Sequence, residues 1–326
     1  MINLKLGDIK EPLPKRILDR FCKEGFKDVN LYPQNYNLLI SKIAQKFDIG
    51  QENIVLINGI DEGIDLITKI FGQKILFFSP TYFEFAAAPR RNNLHFEAIN
   101  SFNNKNYKII IDESKLKDKT LIFLCNPNNP FGTLSQKEIV EIAQKTSGIV
   151  AIDEVYIDFF GDSVIKKFKT TPNVLVLRSF SKGFSLAGLR IGFIVGEKSL
   201  IDKIKQKKLF FNVTSISANA AIICLEEEKY FKDLISQNVR RKKIFEEFLK
   251  KRGFNVIESQ TNNIVIKFPS VKEADQFFNF LKNVGVIVNQ GDGISTYGLD
   301  DSFIRFSCGK REQMEKLREI IENYGI

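Results

Sequence analysis

The stretch "LVLRSFSKGFSLAGLRIGF", Leu175 to Phe193, sets an apolar strand-like run against Lys182, which follows Ser179 and Ser181 and precedes a glycine. A second apolar run is then interrupted by Arg190. Two cations therefore stand at the lip of what reads as a buried core, where an unpaired charge is expensive. Arg190 in "GLRIGF" is expected to face an anion.

The same texture extends outward. Between about residues 53 and 196 the runs "NIVLI", "KILFF", "TLIFLC", "GIVAI", "NVLVL" and "GLRIGFIVG" alternate with helix-like segments. Most are continuous rather than alternating, as in strands buried on both faces of a mainly parallel sheet. "IDEGIDLITKIF" places Ile60, Ile64, Ile67 and Phe71 on one helical face, and "SQKEIVEIAQK" opens with the capping-box pair Ser135 and Glu138. Alternation of this kind predicts an α/β doubly wound domain. From about residue 226 a long charged helix leads to "FNVIE", "NIVIKF", a helix, "VIVNQ", "SFIRFSC" and a terminal helix, a smaller α+β texture. The expected division is 29–225 for the large domain, with 1–28 and 226–326 forming the small one.

Composition excludes several functions. The net charge of +9 comes mostly from lysines interleaved with acids, as in "KDLISQNVRRKKIFEEFLKK", which read as solvated helix faces rather than a nucleic-acid surface. Four cysteines show no CxxC pairing and the single histidine is His95, in the turn-like "RRNNLHFEAIN", so no metal site is expected. Scattered cysteines suit a reducing, cytoplasmic compartment. The N-terminus lacks a signal-peptide core, and no apolar run approaches about 18 residues, so no membrane segment is expected. Proton transfer would fall to Lys, Tyr or a carboxylate.

Polar, Gly and Pro residues collect just past five strand ends: "NGIDEG", "SPTY", "NPNNPFGT", "DEVY" and "RSFSK". Open α/β sheets bind ligands in that crevice. Each loop alone has a plain explanation, a turn or a surface lysine, but Asp153 directly after "IVAI" needs a partner. Together the residues suit one ligand. Amides after Gly59, the hydroxyls of Ser179 and Ser181, and Arg190 could hold a phosphate. Asp153 could pair with a ring nitrogen, Tyr156 and Asn129 with a ring oxygen, and Tyr82 could stack on the ring. Lys182 could form a Schiff base with an aldehyde. A phosphorylated aromatic aldehyde of this description is pyridoxal 5'-phosphate.

"NPNNPFGT", "DEVYIDF", "SFSKGFSLAGLRIGF" and "FIRFSCG", in register, resemble the class I/II aminotransferases, most closely the histidinol-phosphate aminotransferase group, over roughly residues 30–323. The resemblance implies the fold type I architecture: a mainly parallel large domain with a smaller α+β domain. It implies that Lys182 carries the cofactor and shuttles a proton, that Asp153 keeps the ring nitrogen protonated, and that Asn129 and Tyr156 tune the ring hydroxyl. Ser179, Ser181, Arg190 and the backbone at Ile60 and Asp61 would grip the phosphate. Tyr32, in "LYPQ", would reach the phosphate of the neighbouring subunit, implying a homodimer. Arg305 would bind the substrate's anionic group. The implied reaction is transamination between an amino donor such as glutamate and a small phosphorylated keto acceptor, in amino acid biosynthesis.

The departures concern substrate. The usual Asn-Glu-Asn-Pro-like opening reads "LGDIKEPLP", Asn289 stands near the place of a second arginine, and Phe131 replaces a threonine, with Thr133 close by. A smaller phosphorylated substrate would also suit. The runner-up activity is a decarboxylase of a phosphorylated amino acid, like the threonine-phosphate decarboxylases. A cofactor-binding regulator on the same fold fits less well, because such regulators carry a DNA-binding domain ahead of it.

Overall fold

A computed structural model describes residues 1–27, 29–102, 107–293 and 295–324. Its centre is a seven-stranded sheet formed by β2 (Ile54–Ile57), β3 (Ile75–Ser79), β5 (Phe96–Asn100), β6 (Leu121–Cys125), β7 (Ile149–Asp153), β8 (Val174–Ser179) and β9 (Gly192–Val195). The spatial order is β2-β9-β8-β7-β6-β3-β5. All pairings are parallel except those of β9, which runs antiparallel to β8 and β2. The expected α/β class and mainly parallel sheet are therefore present. The sequence reading missed β5: "FEAIN" was read with its turn-like approach, yet it pairs with β3 as the half-buried edge strand. Its lack of a continuous buried run follows from having one neighbour only. His95 is exposed just before it.

Alternate residues of the sheet face two cores, as the two-residue period of a strand requires. Leu76, Ile122, Val150, Ile152, Val174 and Val176 pack on the side of α2 (Tyr36–Phe47), α5 (Gln136–Gln144) and α7 (Ser215–Glu226). Phe77, Phe123, Ala151, Leu175 and Leu177 pack against α3 (Gly59–Phe71), α4 (Glu84–Arg91) and α6 (Lys198–Lys207). Ile60, Ile64 and Ile67 of α3 are buried as their spacing predicts. The Ser135–Glu138 capping box opens α5. Each such side chain contributes about 1.5–3 kcal/mol on burial.

A further core belongs to a four-stranded antiparallel sheet, β10 (Val256–Ile257), β11 (Asn263–Lys267), β15 (Phe303–Ser307) and β13 (Asn289–Gln290) in spatial order, covered by α9 (Val271–Asn283) and α10 (Arg311–Glu322). "VIVNQ" is not one strand. β12 (Val286–Ile287) pairs with β1 (Ile2–Asn3), and after a break β13 joins β15. Between the two bodies, β14 (Thr296–Tyr297) pairs with β4 (Thr81–Tyr82). The long helix α8 (Glu228–Lys251) contributes Phe231 and Leu234 to one core and Phe245 and Leu249 to the other. Ile2 and Leu4 pack in the smaller core, whereas Ile9 and Ile17, the latter on α1 (Lys15–Arg20), pack in the larger. None of the described helices is long and apolar enough to cross a membrane.

Candidate active site

The C-terminal ends of β2, β3, β6, β7 and β8 meet at one edge of the central sheet, and the reversed β9 begins there, with Ser179 opposite Gly192. That reversal brings Arg190 back beside Ser181. A cavity of about 270 Å3 opens at this edge, bordered by Ile60, Asp61, Tyr82, Asn129, Asp153, Tyr156, Ser179, Ser181, Lys182 and Arg190. Nine residues singled out from five strand-end loops, with Arg190 from the turn before β9, thus surround one space.

Asp153, the last residue of β7, forms the floor at 1% exposure. Its Oδ1 accepts the Val155 N–H at 2.9 Å, while Oδ2 is buried without a hydrogen-bond partner. Burial pushes this carboxyl up to about 7, with the Val155 N–H and Lys182 opposing, and Asp61 and Glu154 adding to the rise. Lys182 Nζ lies 6.0 Å from the Tyr156 ring centroid. Burial lowers its ammonium to about 8; Asp8 opposes, and Lys10, Arg305 and Arg190 lower it further. Tyr156 is buried, which raises its hydroxyl to about 12 against the pull of Arg305 and Asn263.

At the other end, Ser179 Oγ accepts the Ser181 N–H at 3.0 Å. Arg190 donates through Nη2 to Asp61 Oδ2 at 2.9 Å and through Nη1 to the Ala187 carbonyl at 3.2 Å. It is half exposed with φ 47°, so it caps a turn ahead of β9 and does not lie within a buried strand as the sequence suggested. Gly59 opens α3 with φ +77°, and a Cβ there would meet Arg190 Nη2 at 2.6 Å. Both the backbone conformation and the guanidinium thus require glycine. The first-turn amides of α3, Ser181 and Arg190 together make an anion-binding end. Tyr82 donates to Asp61 Oδ1 at 2.7 Å, and burial with this neighbouring carboxylate raises its hydroxyl strongly.

Arg305, on β15, is 1% exposed. Nη1 donates to Asn263 Oδ1 at 3.3 Å and Nη2 to Ser295 Oγ, while Nε has no partner. Among the described residues no carboxylate lies within ion-pair distance of it. Asn263 also donates to Asn129 Oδ1 at 3.2 Å, which ties Arg305 to the cavity wall, and Asn129 donates to the Ser295 carbonyl at 3.0 Å.

Three expected residues lie outside the cavity lining: Arg305, which touches it only through Asn263 and Ser295, and further away Asn289 and Tyr32. Asn289 is absent from the cavity wall; its amide donates to the Lys5 carbonyl and holds the N-terminal segment instead. The family resemblance placed it near a second arginine; strand pairing does set its Cα opposite Arg305, but its amide turns to the N-terminal segment. Tyr32 is 76% exposed and stacks on Phe211 at 4.7 Å, outside this cavity. Phe131 is buried against Phe303 and so packs its loop onto the smaller sheet, and Thr133 donates to Asn126 Oδ1 at 2.9 Å within the loop.

The wall also contains Leu6, Gly7, Phe83, Cys125, Val155 and Ser295, which the sequence reading did not name. Cys125 carried a signal, since parallel pairing puts it beside Asp153. Gly7 lay in the departing segment "LGDIKEPLP". Beneath the lip, buried Arg178 pairs with Glu154 at 3.3 Å and Asp158 at 2.8 Å, a third cation of the opening stretch that had passed unremarked.

The family model for aminotransferase class I and II matches residues 1–321. A histidinol-phosphate aminotransferase of Methanocaldococcus jannaschii is 31% identical, covering 98% of this chain and 88% of the relative. The crystal structure of the histidinol-phosphate aminotransferase from Clostridium acetobutylicum superposes with TM-score 0.88 at 26% identity, covering 99% of this chain and 98% of that one. That from Sinorhizobium meliloti, in complex with pyridoxal-5'-phosphate, shares the fold with TM-score 0.87 at 19% identity, covering 98% and 90%. With the strand-end site and these matches along nearly its whole length, the chain belongs to the class I and II aminotransferases.

Proposed function

We propose that this protein is a pyridoxal-phosphate-dependent transaminase, moving an amino group between an amino acid donor such as glutamate and a small phosphorylated keto compound. Interconversion of imidazole acetol phosphate and histidinol phosphate is the leading case, supported by the names of the relatives. The observation that carries the reading is Asp153 Oδ2, a buried carboxylate oxygen with no partner, in the cavity that also holds Lys182. A ring N–H donor satisfies that oxygen, and the anion-binding end at Arg190 accommodates a phosphate. The residues present therefore fit the cofactor.

When bound, pyridoxal phosphate supplies an aldehyde that accepts amines and a ring that delocalises electrons from the substrate's α-carbon. The chain's own groups do the rest. Asp153 Oδ2 would accept a ring N–H and keep that proton in place. Ser179, Ser181, Arg190 and the amides of Ile60 and Asp61 would hold the phosphate, and Tyr82 would border the ring. Tyr156 Oη and Asn129 would bind the ring oxygen. Lys182 Nζ, lowered towards neutrality by burial, would attach the cofactor and serve as the base for the substrate's α-carbon proton. Arg305 orients the substrate through its anionic group. Leu6 and Gly7 exclude water from above.

The division into a large unit of 29–225 and a small one of 1–28 with 226–326 is proposed with one refinement: packing of Ile9 and Ile17 supports moving residues 9–28 to the large unit. A homodimer is supported by exposed Leu209, Phe210 and Tyr32, the last offered to the partner's phosphate end. Four free cysteines fit a cytoplasmic setting.

The test supplies glutamate with a panel of phosphorylated ketones and follows both amino exchange and carbon dioxide release. Amino exchange supports the reading. Carbon dioxide release without exchange would instead establish the decarboxylase.

A further inference from the structure

Four side chains beside the cavity close a ring of hydrogen bonds. Arg305 donates through Nη1 to Asn263 Oδ1 at 3.3 Å, and Asn263 donates to Asn129 Oδ1 at 3.2 Å. Asn129 in turn donates to the Ser295 carbonyl at 3.0 Å, and Arg305 Nη2 completes the circuit by donating to Ser295 Oγ. Ser295 stands directly before β14, whose Thr296 pairs with Tyr82 of β4, so the strand bridge between the two bodies fixes its place on the wall. Of the four, only Asn129 and Ser295 border the cavity. Arg305 stands behind them at 1% exposure, with amide and hydroxyl oxygens for partners and no carboxylate.

The ring holds more donors than acceptors. Asn263 spends both amide N–H groups, on Asn129 and on Thr261 Oγ1 at 2.9 Å. A hydroxyl that accepts from a guanidinium keeps its own proton to give. Among the described residues nothing accepts the Ser295 O–H, and Arg305 Nε is buried without a partner. A buried charge so placed favours an anion at the nearest open surface. The rest of the wall offers that anion no free side-chain donor. Ser179, Ser181 and Arg190 form the phosphate end, while Asn129 and Tyr156 are assigned to the ring oxygen. The roof is a strap, Leu4 to Gly7, to which Ser307 donates at the Leu4 and Leu6 carbonyls, 2.8 Å each, and Asn262 at the Gly7 carbonyl, 3.0 Å. It offers the wall only Leu6 and a glycine, and a Cβ on Gly7 would lie 2.8 Å from Tyr156 Oη. Ser295 is the side-chain donor left over.

We propose that the Ser295 hydroxyl is a specificity-determining contact of the substrate site: it accepts from Arg305 and donates its own proton to the carboxylate of the amino donor. Arg305 supplies the charge and polarises that O–H, and Ser295 supplies the contact at the wall. The inference rests on the reading under Proposed function and deepens it by naming the group that meets the donor's carboxylate. Amines without a carboxylate leave the polarised hydroxyl unpaired when they fill the cavity, and are rejected for that reason.

The test uses cofactor-loaded protein and two amines without an α-hydrogen, 2-aminoisobutyrate and tert-butylamine, which differ by a carboxylate in place of a methyl. Each is titrated by the change in cofactor absorbance, and the ratio of the two affinities reads recognition of the carboxylate. Wild-type protein should prefer 2-aminoisobutyrate by at least about 100-fold, as two charge-assisted hydrogen bonds provide. Ser295→Ala should lower that ratio about tenfold, the share of one such bond, with tert-butylamine affinity unchanged. Ser295→Thr, which retains the hydroxyl, should keep the ratio. Adding Ser295→Ala to Arg305→Lys should lower the ratio again, because the hydroxyl touches the carboxylate itself. A wild-type ratio in Ser295→Ala overturns the proposal, as does equal weakening of both amines, the mark of a structural role. A raised ratio overturns it too, since the hydroxyl would then compete with the carboxylate for Arg305. So does an unchanged ratio in the double variant, which would leave the serine acting only through the arginine. Failure of the parent reading shows differently: the protein takes up no cofactor, or its absorbance responds to neither amine.

Discussion

Asp61 and Arg190, 129 residues apart in the chain, are joined at one end of the cavity by a 2.9 Å hydrogen bond. The same carboxylate receives the Tyr82 hydroxyl, so one acid orients both the guanidinium and the aromatic ring. A phosphate brought to this end meets an arginine already aimed at it. Arg190→Ala should therefore weaken cofactor binding about 10- to 100-fold, the worth of one charge-assisted interaction. Absorbance titration of the cofactor checks this, and an unchanged affinity would remove Arg190 from the phosphate grip.

Asp153 links cofactor binding to pH. Its carboxyl is raised from 3.8 to about 7, so between those values the folded protein retains a proton that the unfolded chain has released. Stability of the cofactor-free protein should fall as pH rises through that window, by at most about 4 kcal/mol from this group. Asp153→Asn should flatten the fall, as read by urea unfolding at both ends of the window. It should also depress turnover, because an amide does not hold the ring proton.

Lys182 titrates in the opposite sense, lowered from 10.5 to about 8. The folded protein has lost this proton where the unfolded chain keeps it, so stability gains with rising pH between these values. Only the neutral amine attacks an aldehyde. The rate of covalent cofactor uptake should rise with pH up to about 8 and level off above it, as followed by stopped-flow absorbance. Lys182→Ala should give no borohydride-stable adduct; an adduct at wild-type yield would place the nucleophile elsewhere.

Gly7 tests the strap. The alanine methyl would stand 2.8 Å from Tyr156 Oη and 3.3 Å from Asn262 Oδ1, so the strap must lift. A displacement near 1 Å over reacting groups lowers turnover by up to about 100-fold. The unfolding midpoint of Gly7→Ala should move little, since no core side chain is altered. A large drop in the midpoint with normal turnover of the folded fraction would assign the strap a structural role only.

Arg305 separates substrate from cofactor. Arg305→Ala should leave cofactor absorbance near wild type while raising KM by about 10- to 100-fold, from loss of a charge-assisted pair. Asn263 and Ser295, its partners, remain to be solvated by water. Loss of cofactor absorbance in this variant would contradict the assignment.

The large sheet was legible because β2, β6, β7 and β8 are continuous apolar runs buried on both faces. The edge strand β5 was not, since its half-buried residues carry no such run. Most of the cavity was readable because Ile60, Asp61, Tyr82, Asn129, Asp153, Ser179 and Lys182 stand at or just past strand ends, so strand order places them at the shared edge, whereas Arg190 precedes β9. The substrate end was not. Asn289 stands near the place where the resemblance puts a second arginine, but which way its amide turns depends on the Lys5 carbonyl, nearly the whole chain away.

By itself the sequence determined that Lys182, Asp153 and Asn129 belong to one site, because buried parallel strands bring their trailing loops to a single edge. Tertiary structure decided what covers that site. Leu6 and Gly7 reach it only through hydrogen bonds from Ser307 and Asn262, more than 250 residues away. Such contacts leave no periodicity in a chain. It likewise decided that Arg190 is a half-exposed turn residue tied to Asp61, since the antiparallel return of β9, and not local sequence, sets where that side chain points.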